Sequence, residues 1–316
     1  MSKILVTGGT GFIGSHIVDS LLSKGETVVV FDDLSSGLEQ NLQENENLTL
    51  VKGDVRDLEA VKKVSEGCSQ IFHLAEYLPN TKKYGPGHVV KFSFEAPLQD
   101  FEVSVRGTLN VLEAARQSDA KVMFTSTAAV YGTPEKVPIN EDDKTDPVSP
   151  YGMSKLVAEQ YGRMFVKLYG LDVRMGRIFN TYGPRQRKYV AYDLIEKIQA
   201  NQSKLELLGS GKESRDFIYV KDSVAALLLI AEKGEKGRPY NVGNGTPISI
   251  EELAKSICEI LGAAPEIKFT GSSWKGDISS FYADNSRLKS LGYNQSTSLK
   301  DGLRNLVEWH KSLAGE

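Results

Sequence analysis

The chain has 316 residues, enough for two domains or for one domain with a substrate-binding lobe. With 40% hydrophobic and 25% charged residues it has the composition of a soluble globular protein, and a formal net charge of −3 gives no case for binding nucleic acid or an anionic membrane. No apolar run approaches the roughly 20 residues that cross a bilayer. Cys68 and Cys258 lie far apart without metal-ligand spacing, so we expect no metal site and a reducing, cytoplasmic setting without a signal peptide.

The N-terminal stretch predicts a nucleotide site. Residues Lys3–Thr7 form a short apolar run typical of a buried strand, and a helical pattern follows to about Lys24. Three glycines lie between them. Gly8 permits a tight turn, Gly11 lets a pyrophosphate approach the backbone, and Gly14 allows close helix–strand packing. The helix N-terminus adds partial positive charge. The residues predicted to bind a dinucleotide here are Gly8, Gly11, Phe12, Ile13 and Gly14.

The second predicted strand, residues 27–31, ends at the acidic pair Asp32 and Asp33. A carboxylate about 20 positions beyond the glycines fits hydrogen bonding to the ribose diol of an adenosine. It would repel the additional phosphate of NADP, and no arginine follows closely to accept that phosphate. The sequence therefore favours NAD over NADP.

Strands and helices then alternate along the chain, which predicts a parallel sheet covered by helices on both faces. Ligands of such sheets bind beyond the carboxyl ends of the strands, so residues that follow neighbouring strands should line one crevice. These residues are Asp54 and Val55, Leu74 and Ala75, and Ser126 and Thr127. A lone histidine after an apolar strand is more often packed than catalytic, so we assign no chemistry to His73.

A tyrosine and a lysine lie four residues apart in the central part of the chain. Pro150 suits the first turn of a helix, and the pattern from Tyr151 to Leu168 predicts that helix. Tyr151 and Lys155 would share one face of it. Because an ammonium beside a phenol stabilises the phenolate, we expect Lys155 to lower the pKa of Tyr151 towards neutral. Such a tyrosine could accept and donate a proton at physiological pH. Alone, this pair is common by chance on helix faces, and the surrounding motifs give it weight.

Together these motifs resemble the extended short-chain dehydrogenase/reductase family. The similarity is to its nucleotide-sugar epimerase and dehydratase group, and above all to UDP-glucose 4-epimerase-type proteins. It covers nearly the whole chain. The stretches that carry it are residues 8–14, Asp32, 53–57, 73–75, 125–127 and 151–155, with later ones at 177–186, 215–222 and 240–245.

The resemblance implies an α/β fold, a Rossmann-type doubly wound parallel sheet with a smaller C-terminal substrate lobe. The NAD-binding domain would span residues 1–178, with 217–245 returning to it, and the lobe would comprise 179–216 and 246–316. A homodimer is also implied, formed by the helices predicted at 98–117 and 151–168. Apolar positions that could contribute to that interface are Ala114, Ala115, Leu156 and Tyr161, although core packing explains most apolar positions there equally well.

The same resemblance implies roles for three catalytic residues. Thr127 would hydrogen-bond the reacting sugar hydroxyl and hold it against Tyr151, the acid and base. Lys155 would act on the tyrosine and contact the nicotinamide ribose of the cofactor.

Further residues match binding positions of the family. Asp54 and Val55 resemble the pair that contacts the adenine. Asn180 and Arg215 resemble residues that hold the sugar or phosphate portion of a nucleoside-diphosphate sugar, and an arginine can donate two parallel hydrogen bonds to a diphosphate.

The residues after Thr127 bear on the reaction. Family dehydratases generally carry an Asp-Glu pair there, and decarboxylases a Glu just before Val-Tyr-Gly, whereas this chain has Ala128 and Ala129. Since elimination needs an additional acid and base, the alanines favour C4 epimerisation of an NDP-hexose through a transient 4-keto sugar. Two alternatives stay open. One is a dehydratase, decarboxylase or reductase whose additional groups lie elsewhere, such as Glu76, and the other is a non-catalytic NAD-binding regulator.

The chain departs from the family pattern at several positions. Ser104 stands where an asparagine usually supports the active-site helix and a proton-relay water. Glu76 replaces a small residue after His-Leu-Ala. An inserted segment around residues 84–88 could cover the sugar pocket or be a tolerated surface loop. Trp274 stands where an arginine usually binds the diphosphate, so the nucleotide could be held differently.

One further position bears on the choice of sugar. In the family's epimerases, a bulky residue in the strand before an Ala-Asp pair excludes acetamido sugars. Counting back from Ala283 places Phe281 there, although its ring could equally pack in the core of the lobe. We therefore expect a preference for plain hexoses.

Overall fold

The computed structural model describes residues 3–78, 89–271 and 279–313. The predicted inserted segment at 84–88 and the departure at Trp274 lie outside the described residues.

The strands are β1 Lys3–Thr7, β2 Thr27–Asp32, β3 Leu48–Lys52, β4 Gln70–His73, β5 Lys121–Thr127, β6 Val173–Ile178, β7 Asn180–Tyr182, β8 Lys204–Leu207, β9 Ser214–Tyr219, β10 Pro239–Val242, β11 Pro247–Ser249, β12 Glu266–Phe269 and β13 Ser280–Phe281. The helices are α1 Phe12–Leu22, α2 Leu58–Ser65, α3 Val89–Glu95, α4 Pro97–Phe101, α5 Gly107–Ser118, α6 Pro150–Tyr169, α7 Tyr189–Ala200, α8 Val220–Lys233, α9 Ile250–Leu261, α10 Ser286–Ser290 and α11 Leu299–Leu313. Short 3₁₀ turns lie at Glu39–Asn41 and Ala128–Tyr131, and a π-helical turn at Glu102–Arg106 joins α4 to α5. Among the described helices, none is long and apolar enough to cross a membrane.

The described residues form a seven-stranded main sheet in the order β10-β6-β5-β4-β1-β2-β3, with every neighbouring pair parallel. The chain starts at β1, winds outward through β2 and β3, and crosses back to β4 on the other side. The strand order therefore reverses between β1 and β4, the point at which doubly wound sheets open a crevice for ligands.

Helices cover both faces of this sheet. On one face, α2, α5 and α6 bury Val61, Val111 and Phe165 against the strands. On the other, α1 and α8 bury Ile17 and Leu227. Because the central strands are covered on both sides, β1 and β2 are nearly continuous apolar runs rather than alternating ones. The predicted Rossmann-type doubly wound fold is confirmed.

A smaller lobe surrounds β9. This strand pairs with β11 antiparallel and with β7 and β13 parallel, while β8 and β12 form a separate parallel pair. Leu194, Leu253 and Leu306 of α7, α9 and α11 pack into the lobe's core. Since β10 joins the main sheet and β9 the smaller one, the chain passes between them within residues 217–245. The predicted boundary between the NAD-binding domain and the substrate lobe, between residues 178 and 179, stays a prediction.

Helix α6 forms as its sequence predicts. The Ser149 hydroxyl accepts a hydrogen bond from the Gly152 amide at 3.1 Å, and Pro150 occupies the first turn, where its missing amide hydrogen is not needed. The helix ends at Gly170, whose φ of 70° is the left-handed conformation that glycine adopts readily. Tyr151 therefore lies in the first turn, at the mouth of the crevice.

The helix predicted at 98–117 is interrupted. At its π-helical turn, the Gly107 amide donates to the Glu102 carbonyl five residues back. Of the positions that the sequence left open between an interface and the core, Ala114 and Ala115 belong to the core, where they are 1% and 0% exposed. Leu156 and Tyr161 also pack against core clusters. The apolar side chains that this part of the surface exposes are Leu98, Phe101, Met153, Met164, Leu168 and Tyr169.

A buried ion pair fixes α6 to the sheet. The Arg177 guanidinium of β6 donates to both Glu159 carboxylate oxygens, at 2.9 and 2.8 Å, and both side chains are almost fully buried. Glu159 also accepts from the Ser126 hydroxyl at 2.6 Å, and Arg177 donates to the Tyr131 hydroxyl. A buried charge pair is stable only when its remaining donors and acceptors are satisfied, and here they are.

We expect Arg177→Met to lower the free energy of unfolding by about 3–5 kcal/mol, because it leaves a buried carboxylate without its partner. The measurement is urea unfolding at equilibrium. Arg163→Met is the matched control, since Arg163 approaches the same carboxylate at 3.6 Å from a side chain that is 38% exposed. It should cost about 1 kcal/mol or less. Equal losses in the two variants would contradict the assignment.

Candidate active site

A cavity of about 980 Å³ lies beyond the carboxyl ends of the main-sheet strands and extends to the smaller lobe. Every position that the sequence assigned to cofactor, substrate or catalysis lines it. These residues are Gly8, Gly11, Phe12, Ile13, Gly14, Asp32, Asp33, Asp54, Val55, Leu74, Ala75, Thr127, Tyr151, Lys155, Asn180, Arg215 and Phe281. The structure thus brings the predicted residues to one site, while their roles stay predictions.

The turn between β1 and α1 is a cradle that only glycine fits. Gly8 has a φ of +72°, and a Cβ there would lie 2.8 Å from the Ala75 amide nitrogen. A Cβ on Gly14 would lie 2.2 Å from the Gly8 carbonyl oxygen. Because Gly11 at the N-cap of α1 has no side chain to cap the helix, the first amides of α1 are available to an anion. The arrangement fits a pyrophosphate.

Two carboxylates follow β2 and β3 at the same end of the cavity. Asp32 accepts from the Thr10 amide at 3.0 Å and from the Leu34 amide at 2.9 Å, which fixes its carboxylate at the end of β2. Asp54 accepts from the Arg56 side chain, and this hydrogen bond holds the pKa of Asp54 below its usual range. Both positions fit the ribose and adenine of a dinucleotide.

Three polar side chains converge between β5 and α6. Tyr151 in the first turn of α6 and Thr127 at the end of β5 both line the cavity. The Lys155 ammonium donates to the Thr125 carbonyl at 3.1 Å and lies 5.1 Å from the centroid of the Phe124 ring. Its position is therefore fixed from the strand side by a carbonyl and an aromatic face.

The predicted effect of Lys155 on Tyr151 was wrong. The Lys155 ammonium lies 2.6 Å from the Glu76 carboxylate, and both side chains are largely buried. Burial raises the pKa of Tyr151 well above its usual range, Glu76 adds to the effect, and the Thr127 hydrogen bond opposes it. The main physical reason is burial, which disfavours the charged phenolate, and the Glu76 carboxylate beside Lys155 disfavours it further.

A second acid near this group has no signal in the sequence. Asp100 of α4 is 0% exposed and accepts from the Ser154 hydroxyl of α6 at 2.6 Å. Burial raises the pKa of Asp100 to about 6, and the neighbouring Glu76 adds to this rise. The sequence around Asp100 is typical of an exposed segment. Its burial follows from the packing of α4 against α6, which only the structure shows.

His73 is structural, as predicted. Its Nδ1 lies 2.7 Å from the Thr7 hydroxyl and its Nε2 lies 3.0 Å from the Thr108 hydroxyl. Burial lowers the pKa of His73 to about 3, so the imidazole stays neutral. The ring therefore joins β1, β4 and α5 by hydrogen bonds. Cys258 of α9 is a buried free cysteine.

The predicted substrate residues lie on the smaller lobe. The Asn180 amide donates to the Asp216 carbonyl at 3.2 Å, and the Arg215 guanidinium donates to the Ser214 carbonyl at 2.9 Å. Phe281 pairs with Arg215 across β13 and β9, and its ring centroid lies 5.6 Å from that of Phe179. Phe281 thus lines the cavity and packs against a core cluster at once.

A parallel sheet of this order, with a glycine cradle at its switch point and a Thr–Tyr–Lys group over the crevice, defines an extended short-chain dehydrogenase/reductase. The chain belongs to the GDP-mannose 4,6-dehydratase family, whose family model matches residues 5–306. It is a member of the nucleotide-sugar epimerase and dehydratase group of enzymes.

Relatives in this group differ in reaction. The chain is 35% identical to UDP-glucose 4-epimerase of Mycolicibacterium smegmatis, over 98% of this chain and 99% of that one. It is 31% identical to UDP-glucuronic acid decarboxylase 1 of Xenopus tropicalis, over 98% of this chain and 72% of that one. The family is therefore clear, while similarity alone leaves the reaction open.

Solved structures match over nearly the full length. A UDP-N-acetylglucosamine 4-epimerase of Methanobrevibacter ruminantium, in complex with UDP-N-acetylmuramic acid, aligns with a TM-score of 0.90 at 33% identity, covering 99% of each chain. UDP-glucose 4-epimerase of Thermotoga maritima with UDP-glucose gives 0.89 at 33% identity, again over 99% of each. UDP-glucose 4-epimerase of Thermus thermophilus in complex with NAD gives 0.84 at 31% identity, over 98% of this chain and 99% of that one.

Proposed function

We propose that the protein is an NAD-dependent epimerase that inverts C4 of a nucleoside-diphosphate hexose through a transient 4-keto sugar. The observation that carries this proposal is the shared cavity, in which Thr127, Tyr151 and Lys155 lie beside a dinucleotide cradle. The cavity wall after Thr127 is formed by Ala128 and Ala129, which offer no acid or base for elimination.

In this mechanism the chain's residues hold and move one proton. The Thr127 hydroxyl orients the C4 hydroxyl of the sugar towards Tyr151, whose ionised, phenolate form takes the proton and later returns it. Bound NAD supplies a hydride acceptor that gives the hydride back, so none is consumed. The ketone must turn within the cavity between the two transfers, which a space of about 980 Å³ shared by both lobes accommodates.

The cofactor would lie along the main-sheet side of the cavity. The amides of α1 would hold its pyrophosphate, Asp32 its adenosine ribose, and Asp54 with Val55 its adenine. Lys155 would contact the nicotinamide ribose. The UDP-glucose 4-epimerase of Thermus thermophilus in complex with NAD, which shares this fold, supports the choice of NAD.

A second candidate reaction is favoured by one observation. Glu76 lines the same cavity as Tyr151, and a carboxylate there is the kind of group that a dehydratase or decarboxylase needs. Against this candidate, the Glu76 carboxylate is paired with the Lys155 ammonium and accepts from the Ser104 hydroxyl. Both carboxylate oxygens therefore already have partners within the protein. The intact Thr127, Tyr151 and Lys155 also argue against a purely regulatory NAD-binding protein.

We also propose that the protein acts as a homodimer. The surface of α4 and α6 exposes apolar side chains, among them Leu98 at 75% and Leu168 at 62%. A second copy of this face would cover them, because large apolar side chains clustered on a surface mark interaction sites.

Tyr151→Phe should reduce turnover at least a hundredfold while NAD binding is retained, because it removes the acid–base hydroxyl and little volume. Interconversion of UDP-glucose and UDP-galactose without added reductant is the assay, with mass analysis of the product. Tyr161→Phe, on the same helix and packed against the core, should keep its activity. A 4-keto-6-deoxy product, net NADH formation, or near-normal turnover of Tyr151→Phe would each overturn the proposal.

Asp32→Ala should weaken NAD binding about tenfold or more and reduce discrimination against NADP, because a charged hydrogen bond to the ribose is lost and a repulsive charge is removed. Direct titration of both cofactors measures this. Asp146→Ala, which removes an equal charge from an exposed ion pair, is the control. An unchanged preference for NAD would rule out the ribose contact.

Phe281→Ser should relax sugar selectivity. A phenyl ring in the cavity leaves little room for an acetamido group, and overpacking costs about 1–3 kcal/mol, so the unmodified enzyme should prefer plain hexoses by about tenfold. The comparison is turnover efficiency on the glucose/galactose and N-acetylglucosamine/N-acetylgalactosamine pairs of UDP-sugars. If the unmodified enzyme already prefers the acetamido sugars, Phe281 does not set selectivity.

A further inference from the structure

Two residues that depart from the family pattern, Ser104 and Glu76, are in direct contact. Ser104 and Glu76 are 28 positions apart in sequence, yet the Ser104 hydroxyl donates to one oxygen of the Glu76 carboxylate at 2.5 Å. The other oxygen lies 2.6 Å from the Lys155 ammonium. The two substitutions are therefore parts of one arrangement that ends on the lysine of the catalytic group.

We propose that Glu76 is a positioning residue that fixes the Lys155 ammonium, with Ser104 holding its carboxylate, and that it restrains Tyr151 from ionising. The inference rests on the proposed function, since it takes Tyr151 as the acid and base. It differs from the general acid considered for a dehydratase, because Glu76 here acts through Lys155 and its charge rather than on the substrate.

The geometry restricts the lysine from several sides. Its ammonium is held between the Glu76 carboxylate and the Thr125 carbonyl, and the Phe124 ring lies at its side. Lys155 is 3% exposed, so water does little to screen the pair. Glu76 in turn accepts from Ser104, whose own carbonyl accepts from the Thr108 hydroxyl at 2.5 Å. Glu76 also accepts from the Tyr77 amide at 2.9 Å, so the carboxylate cannot turn away without losing three partners.

The charges that face Tyr151 and Lys155 come from four elements. Glu76 and His73 lie at the end of β4, Asp100 on α4, Lys155 on α6 itself and Tyr189 on α7. His73 is neutral and Tyr189 has its pKa raised to about 12 by burial, so neither contributes charge near neutral pH. Near neutral pH the net charge around the Tyr151 phenol is therefore set by the Lys155 ammonium and by the carboxylates of Glu76 and Asp100.

This balance leaves Tyr151 in a negative environment. Once Glu76 neutralises Lys155, the remaining Asp100 carboxylate disfavours a phenolate further, consistent with the raised pKa of Tyr151. Removing the Glu76 charge reverses both effects, because it takes away a repulsive carboxylate and leaves the ammonium uncompensated beside the phenol. The phenol of a Glu76→Gln variant should therefore ionise at lower pH.

The test is a pH titration of Tyr151 by carbon NMR in the full chain labelled with [ζ-¹³C]tyrosine. The chain has 13 tyrosines, and the Tyr151→Phe spectrum identifies the resonance. We expect Glu76→Gln to lower the pH of ionisation by at least about one pH unit. Glu102→Gln is the charge-matched control, since Glu102 lies in the adjoining turn and pairs with Arg106 at the surface. It should leave the titration unchanged.

Turnover adds a second readout. With UDP-glucose as the probe, the ascending limb of the kcat/KM profile against pH should move to lower pH in Glu76→Gln by the same amount. If the unmodified enzyme turns over no nucleoside-diphosphate sugar, the proposed function fails, but the NMR titration still decides the role of Glu76. Where the Gln variant does not fold, Glu76→Ala removes the same charge and opens its place to cavity water.

Three results would overturn the inference. One is a Tyr151 resonance that titrates at the same pH in Glu76→Gln and the unmodified protein. Another is an ascending limb of the kcat/KM profile that lies at the same pH in Glu76→Gln and the unmodified enzyme. The third is an equal shift in Glu102→Gln, which would point to net charge rather than to this carboxylate.

Discussion

The buried pair of Arg177 and Glu159 is the interaction on which the site depends. Glu159 belongs to α6, two turns after Tyr151, and it is bound to β6 through Arg177 and to β5 through Ser126. Because Ser126 directly precedes Thr127, the same carboxylate that fixes the helix also fixes the strand end. The relative placement of phenol and threonine hydroxyl is thus set by a contact outside the cavity.

Around this anchor the polar groups of the cleft form a neutral set and a charged set. In the neutral set, His73 bridges Thr7 and Thr108 and joins the sheet to α5. The charged set holds Glu76, Lys155 and Asp100, and Ser104 joins the two sets, because its carbonyl accepts from Thr108 and its hydroxyl donates to Glu76. Keeping the imidazole neutral matters here, because a second cation beside Lys155 would cancel the negative environment of the phenol.

Local patterns in the sequence predicted the fold and the members of the site well. The glycine turn, the strand ends and the capped helix at Pro150 are local signals, and each lies where its pattern indicates. The expectations that failed depended on non-local contacts. Lys155 was expected to act on Tyr151 because the two share a helix face, but its partner is Glu76, which lies far earlier in the chain, just after β4. Asp100 gave no signal, since its burial depends on how α4 packs against α6. Ala114 and Ala115 face inward because α5 packs against the core that it shares with α2.

That π-helical turn has a consequence for how the two halves of its helix cooperate. Each residue added to an α-helix rotates the remainder of the helix by about 100°. The additional residue at Glu102–Arg106 lets α4 present Asp100 to α6 while α5 presents Thr108 to His73. Without the additional residue, one of the two segments would present its side chains about 100° away from their present direction. The turn therefore sets the rotation of α5 relative to α4, so that Asp100 contacts Ser154 of α6 while Thr108 contacts His73 of β4.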